Sequence, residues 1–216
     1  PDAKAEDRTT ARDIARLARA LSSFGKVLEW TSLSGLPFDD GATLLRNRNP
    51  LIGSVPGVDG LHVARSSADG RMDSGSTVIT ALRDGMRLIA VIADVPDRAT
   101  QLSSAADLLE WGFANFERLE VVQQGEKLNL SVDVDGGAQE QVTPLAGATF
   151  AVVRHRGEER SFQVRYQLPS TVVAPIEKQQ QIGEIIVEEH NAVLAVIPAL
   201  SPLPVPAVGV LSAGLR

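Results

Sequence analysis

Cysteine is absent from all 216 residues. That excludes disulfides, thiol nucleophiles and cysteine-zinc centres, and it suits an oxidising compartment. Aromatic residues make up only 4%, so stacking platforms for bases or sugars are scarce. Positive charge is short as well: 21 Lys and Arg stand against 27 Asp and Glu, a net charge of −6. A nucleic-acid-binding chain carries a basic footprint, and this one has none. The three histidines, His62, His155 and His190, lie too far apart for metal-ligand spacing. No cofactor is expected. No stretch approaches the roughly 18 apolar residues of a membrane-spanning helix. The first eight residues are charged rather than apolar, so they do not read as a signal peptide. The chain opens on Pro1 rather than Met, and the expectation is that it belongs to a longer product. What is abundant is apolar side chain, 44% of the residues, enough to bury a core in one large domain or two small ones.

The clearest local signal is a hairpin. Residues 78–83 and 87–93 are two apolar, partly β-branched runs joined by Arg83-Asp84-Gly85-Met86. Asp-Gly tolerates the positive φ of a tight primed turn, so the spacing predicts two antiparallel strands. The near-continuous apolar character of 87–93 predicts a strand covered on both faces, in the middle of a sheet. Residues 58–64 read as a third strand, joined to the hairpin by a polar loop.

Two helices flank these strands. In residues 9–21, Ala11, Ile14, Leu17, Ala18 and Leu21 share one face, and Arg12, Arg16 and Arg19 lie on the other. Thr9 or Thr10 can cap this helix, with Asp13 favourable in its first turn. Residues 103–116 place Ala105, Leu108, Leu109, Gly112, Phe113 and Phe116 on a regular stripe, with a capping-box-like start at Ser104 and Asp107. The aromatics of 111–116 read as core. Between helix and strands, residues 22–53 read as irregular and turn-rich. After Glu117 no helical period is sustained. Short strands alternate with turns, which indicates a small all-β domain, and the boundary falls near 118–121. Four prolines between Pro198 and Pro206 predict an extended or disordered tail.

Particular residues carry a resemblance. Pro-Gly-Val-Asp-Gly-Leu at 56–61, Arg-Asp-Gly-Met-Arg-Leu-Ile-Ala-Val at 83–91 and Trp-Gly-Phe-Ala-Asn-Phe-Glu at 111–117 resemble the serine-type D-alanyl-D-alanine carboxypeptidases, the low-molecular-mass penicillin-binding proteins of bacterial cell-wall maintenance. Residues 9–21 are similar to the helix that follows that family's Ser-x-Asn motif. Residues 174–184 resemble part of its C-terminal β domain. The fold implied is α/β (α+β): a partial penicillin-binding transpeptidase-like domain with an antiparallel sheet over residues 1–118, then a small all-β domain with a Pro-rich tail over 119–216. The implied function is peptidoglycan remodelling in the periplasm or elsewhere outside the cytoplasm, on stem peptides ending in D-Ala-D-Ala. The family often ends in an amphipathic helix on the membrane. Residues 205–216 lack a basic face and helix formers, so no such anchor is expected.

The family's chemistry is acyl transfer by a serine whose proton passes to a lysine, through Ser-x-x-Lys, Ser-x-Asn and Lys-Thr-Gly. Neither Ser-x-Asn nor Lys-Thr-Gly occurs in this chain. At the positions of the latter stand His62, Val63 and Ala64. His62 substitutes a largely neutral group for a permanent cation, and it also reads simply as a strand histidine at a sheet edge. One Ser-x-x-Lys occurs, Ser23 to Lys26, at the end of the first helix with a glycine inside it, and it reads as coincidence. An Asp59, His62 and Ser66 or Ser67 triad fails on geometry, because residues three apart on a strand point to opposite faces. No catalytic residue is therefore expected. Arg48, next to Asn49 and fourteen residues before His62, sits at the spacing of a family arginine that holds the substrate carboxylate. Its fork of donors suits that role, as it suits satisfying loop carbonyls. The two candidate binding residues are Arg48 and His62. An absent upstream half would leave a sheet face to be covered, by that half or by a second copy of the chain.

Overall fold

The computed structural model describes residues 9–63, 76–95 and 97–209. The chain divides into two compact units, Pro1–Glu117 and Arg118–Arg216. In the first unit, α1 (Ala11–Leu21) is capped by Thr10, whose hydroxyl accepts from the Asp13 N–H. A short α2 (Gly25–Thr31) and a two-stranded ribbon, β1 (Gly35–Phe38) and β2 (Thr43–Arg46), occupy the stretch read as irregular. Asp39 and Asp40, at φ 55° and 52°, turn that ribbon.

The hairpin forms as its sequence implies. β4 (Thr77–Arg83) pairs antiparallel with β5 (Met86–Ile92), with Arg83 opposite Met86. Asp84 and Gly85 lie at φ 48° and 73°, the signature of a primed turn. β3 (Val58–His62) completes a sheet in the order β3-β4-β5. The central strand is therefore β4, whose first five residues are all buried, and β5 is an edge strand among the described residues. Its apolar run has another cause. α3 (Arg98–Asn115) packs on it so closely that a Cβ on Gly112 would stand 2.6 Å from Leu88 Cδ1, and Ala15 of α1 shares a groove with Leu88 and Ile89.

α3 begins earlier than the periodicity predicts. Asp97 caps it by accepting from the Thr100 N–H at 2.7 Å, so Ser104 and Asp107 lie inside the helix. Its buried face is Gln101, Ala105, Leu109, Gly112 and Phe113, and Leu108 and Trp111 are exposed. Gln101 is hydrophilic and fully buried, so no apolar stripe could reveal it. Its side chain hydrogen-bonds Thr77 Oγ1 at 2.5 Å and donates to the Val95 carbonyl at 2.7 Å. Burial is affordable for an amide only when its donors and acceptors are met in this way.

The second unit is all β. β6 (Phe116–Val122) pairs with β10 (Phe150–His155). β7 (Val132–Asp135), β8 (Gln141–Val142) and β12 (Thr171–Val173) make a three-stranded sheet. The largest sheet runs β11 (Gln163–Gln167), β13 (Gln181–Glu189), β14 (Ala192–Leu200), β9 (Leu145–Ala146). β14 escapes the sequence reading because its turn is His190-Asn191, both left-handed at φ 50° and 64°, without the glycine that usually marks such a turn. Two cores form, one around Ile185, Val187, Ile197 and Ala199, the other around Val132, Ile176 and Val205. The Pro-rich tail is ordered as far as it is described. Pro198 lies within β14, and Val205 is fully buried and exchanges two 2.8 Å backbone hydrogen bonds with Ile176. Proline is tolerated there because a Pro carbonyl still accepts, as Pro198 does from the Gly147 N–H at 2.8 Å.

Candidate functional site

β3 is held from both sides. Thr31 Oγ1 donates to the Asp59 carbonyl at 2.8 Å, and a Cβ on Gly60 would fall on Thr31 Oγ1. On β5, Arg87 grips the Asp59 carboxylate with two nitrogens, at 2.8 Å each, and donates to Thr80 Oγ1 at 2.8 Å. Asp59 is thus committed to Arg87, which disposes of a triad through His62. Ser66 and Ser67 lie outside the described residues, as does Ala64.

His62 ends β3 and is exposed. It lines a groove of about 290 Å³ with Ile14, Leu17 and Leu21 of α1 and with Leu61 and Val78. Among its lining residues His62 is the one titratable side chain. Val63 is buried, 4% exposed, so its side chain offers nothing to a ligand. The apolar face of α1 is less covered than its periodicity implies: Ala18 is buried, but Leu17 is 62% exposed.

Arg48 lies in the loop between β2 and β3, exposed, and is not among the residues lining the His62 groove. Its carbonyl accepts from Arg98 Nη2 at 2.6 Å. On either side of it, Asn47 Nδ2 donates to the carbonyls of Thr31 and Leu33 at 3.0 and 2.8 Å, and the Asn49 N–H donates to Asn47 Oδ1 at 2.9 Å. The sequence reading missed Arg98 and Asn47. The pair of asparagines around Arg48 was a usable signal, since asparagine side chains bond nearby backbone in turns.

Ser23 and Lys26 do not form a nucleophile and base. Ser23 Oγ donates to the Ala20 carbonyl at 2.7 Å, and Lys26 Nζ pairs with Glu29 at 2.8 Å. Elsewhere in the first unit, Arg83 stacks on Phe113 at 4.3 Å, donates to the Pro56 carbonyl at 2.9 Å and chelates Glu110. The hydrogen bonds from Arg83 hold the Glu110 carboxyl below its ordinary range. The Thr100 hydroxyl and N–H do the same for Asp97. Both are structural. Among the described residues no group of three or more His, Asp or Glu side chains could hold a metal ion, and no helix is long and apolar enough to cross a membrane.

The family model of the penicillin-binding protein 5 C-terminal domain matches residues 116–206, essentially the whole described part of the second unit. The D-alanyl-D-alanine carboxypeptidase DacD of Salmonella typhimurium is 26% identical over 196 residues, 89% of this chain and 48% of its own length. The match therefore runs through both units. The chain is similar to D-alanyl-D-alanine carboxypeptidases, and its second unit matches the C-terminal domain of penicillin-binding protein 5. The D-alanyl-D-alanine carboxypeptidase DacA of Haemophilus influenzae is 29% identical over 142 residues, 65% of this chain and 35% of its own length. The chain thus spans about half or less of the length of these relatives. Among solved structures, the penicillin-binding protein PBP3 of Streptococcus pneumoniae, a peptidoglycan synthesis regulatory factor, superposes with a TM-score of 0.66 over 95% of this chain and 60% of its own, at 21% identity. That likeness shows the fold: a partial penicillin-binding transpeptidase-like α+β domain with an antiparallel sheet, followed by a small β domain.

Proposed function

We propose that this chain serves peptidoglycan remodelling outside the cytoplasm, engaging stem peptides that end in D-Ala-D-Ala, and that its 216 residues by themselves do not acylate. The observation that carries this is the end of β3. The family's Pro-Gly-Val-Asp-Gly-Leu frame is kept and held by Thr31 and Arg87, yet the strand delivers His62 and a buried Val63 where the family has lysine and threonine. Acylation needs a serine whose proton a neighbouring base accepts. The chain's sole Ser-x-x-Lys has its serine turned onto a helix carbonyl and its lysine onto a glutamate. Arg48 and His62 remain as donors to a carboxylate.

The test is a fluorescent penicillin incubated with the purified chain and run on a denaturing gel. No saturable band is expected. A band lost in Ser23→Ala would overturn the reading, and so would a band that persists, which would point to Ser66 or Ser67. Binding is read separately, by calorimetry with a diacetyl-Lys-D-Ala-D-Ala peptide. Arg48→Ala is expected to weaken it by roughly 1.5–3 kcal/mol, the worth of a charge-assisted hydrogen bond. Equal affinity would remove Arg48 from the site.

A second reading is a non-catalytic wall-binding or scaffolding protein. The groove beside His62 favours it, because a mainly apolar lining with one imidazole and the hydroxyls of Thr9 and Ser76 provides adhesion without the serine-lysine pair that acylation uses. Co-sedimentation with intact peptidoglycan, without release of D-Ala, would select this reading.

A further inference from the structure

Arg48 combines a fixed backbone with a free side chain. Its carbonyl is bonded by Arg98, the first residue of α3. The residue before it is tied to the end of α2 and the loop beyond through Asn47 Nδ2. The residue after it, Asn49, is 4% exposed and accepts from the Leu51 N–H at 3.1 Å. Yet the Arg48 guanidinium is exposed and makes no hydrogen bond or ion pair among the described residues. Arg98 is the costly member of this arrangement. Its Nε is buried without a partner, and no carboxylate pairs with it among the described residues. Setting a partly buried, uncompensated cation against one carbonyl is a poor way to stabilise a loop, since burial without a counter-charge is penalised. It is a direct way to fix the one residue whose carbonyl it holds.

We propose that Arg98 is a positioning residue for Arg48: its hydrogen bond to the Arg48 carbonyl sets the backbone from which the Arg48 guanidinium meets a ligand carboxylate. This rests on the reading of Arg48 given above. An order of magnitude in rate or affinity commonly depends on such placement, because a guanidinium fork must face both carboxylate oxygens together. Arg98 also leaves a second unpaired positive charge close to the loop, which favours an anionic ligand over a neutral one.

The experiment is a double-mutant cycle on the full chain, with the diacetyl-Lys-D-Ala-D-Ala peptide as probe and calorimetry as readout. Arg48→Ala is expected to weaken binding about tenfold or more, and Arg98→Ala about three- to tenfold. In the Arg48→Ala background, Arg98→Ala is expected to change nothing further. Arg98→Lys, which keeps a donor and a charge, should recover most of the lost affinity. Thermal unfolding of each variant separates folding from placement: a merely structural Arg98 would lower stability and weaken binding equally with or without Arg48. Additive losses, or wild-type affinity in Arg98→Ala, would overturn the proposal while leaving the role of Arg48 standing. Wild-type affinity in Arg48→Ala would overturn both, and is recognisable as the failure of the underlying reading.

Discussion

The two units bury their apolar side chains differently. Arg118–Arg216 closes three small sheets around two cores, and its fully buried positions, Ile176, Ile185, Val132, Val187 and Val205, are spread along its length. Pro1–Glu117 has one core, built by β3, β4, β5 and α3. Between Thr9 and Arg46, Ala18 is the one buried apolar residue. Over the same stretch Phe24, Trp30, Leu36, Phe38, Leu44 and Leu45 are half or more exposed. Although Val173, Val193 and Val196 stay more than half exposed, strands whose faces meet one another bury a continuous core. A helix and a ribbon that touch a sheet along one line do not. The stretch from α1 to β2 is therefore attached to its core rather than part of it, and through α1 it supplies one wall of the His62 groove.

Selective destabilisation is the strongest way to break this comparison. Both tryptophans, Trp30 and Trp111, lie in the first unit, so tryptophan fluorescence reports that unit alone. Ile79→Ala and Ile185→Ala each truncate a fully buried side chain, and each is expected to cost about 2–5 kcal/mol. In urea, Ile79→Ala should shift the tryptophan transition. Ile185→Ala should shift the far-ultraviolet transition of the β unit and leave tryptophan in place. Equal displacement of both signals by either variant would mean that the units unfold as one.

A smaller effect is expected at the contact of α3 with β5. Gly112→Ala puts a methyl 2.6 Å from Leu88 Cδ1. The leucine can give way, so the cost is about 1–3 kcal/mol, read on the tryptophan transition. A neutral outcome would mean that α3 sits further from the sheet than described. Acid acts on both units with one sign. Hydrogen bonds from Arg83 and Arg165 depress the carboxyls of Glu110 and Glu188, and Arg160 depresses Glu189. A carboxyl lowered in the folded state contributes stability above its unfolded value and loses it as pH falls through its folded value. Thermal midpoints should accordingly be flat near neutrality and decline below about pH 4.5. Midpoints that rise on acidification would contradict these pairings. The smallest effect is expected at Leu17, whose side chain is mostly exposed. Leu17→Ser should alter stability by no more than about 0.5 kcal/mol, whereas the same change at Leu109 should unfold the first unit.

Where local chemistry is self-sufficient, the chain announces its structure. Asp84-Gly85 allows little but a primed turn, and Thr10 with Asp13 makes a helix start. The motif residues at 56–61, 83–91 and 111–117 carried the resemblance and with it the expected fold. Arg48 and His62, the two proposed binding residues, could be read as residue types, but their surroundings could not, and Arg48 does not line the His62 groove. Arg98 stands 50 residues from Arg48 in the chain, and no local pattern links a helix's first residue to a distant loop carbonyl.

The sequence by itself determined the β4-β5 hairpin, the start of α1, the resemblance to D-alanyl-D-alanine carboxypeptidases, and the lack of Ser-x-Asn and Lys-Thr-Gly, because each of these is written in neighbouring residues. Only the tertiary structure decided which strand is central, that Gln101 is buried, that β14 turns at His190-Asn191, and that Asp59 belongs to Arg87 rather than to His62. These depend on which surfaces meet, and a side chain's burial and partners are properties of the contact rather than of the residue.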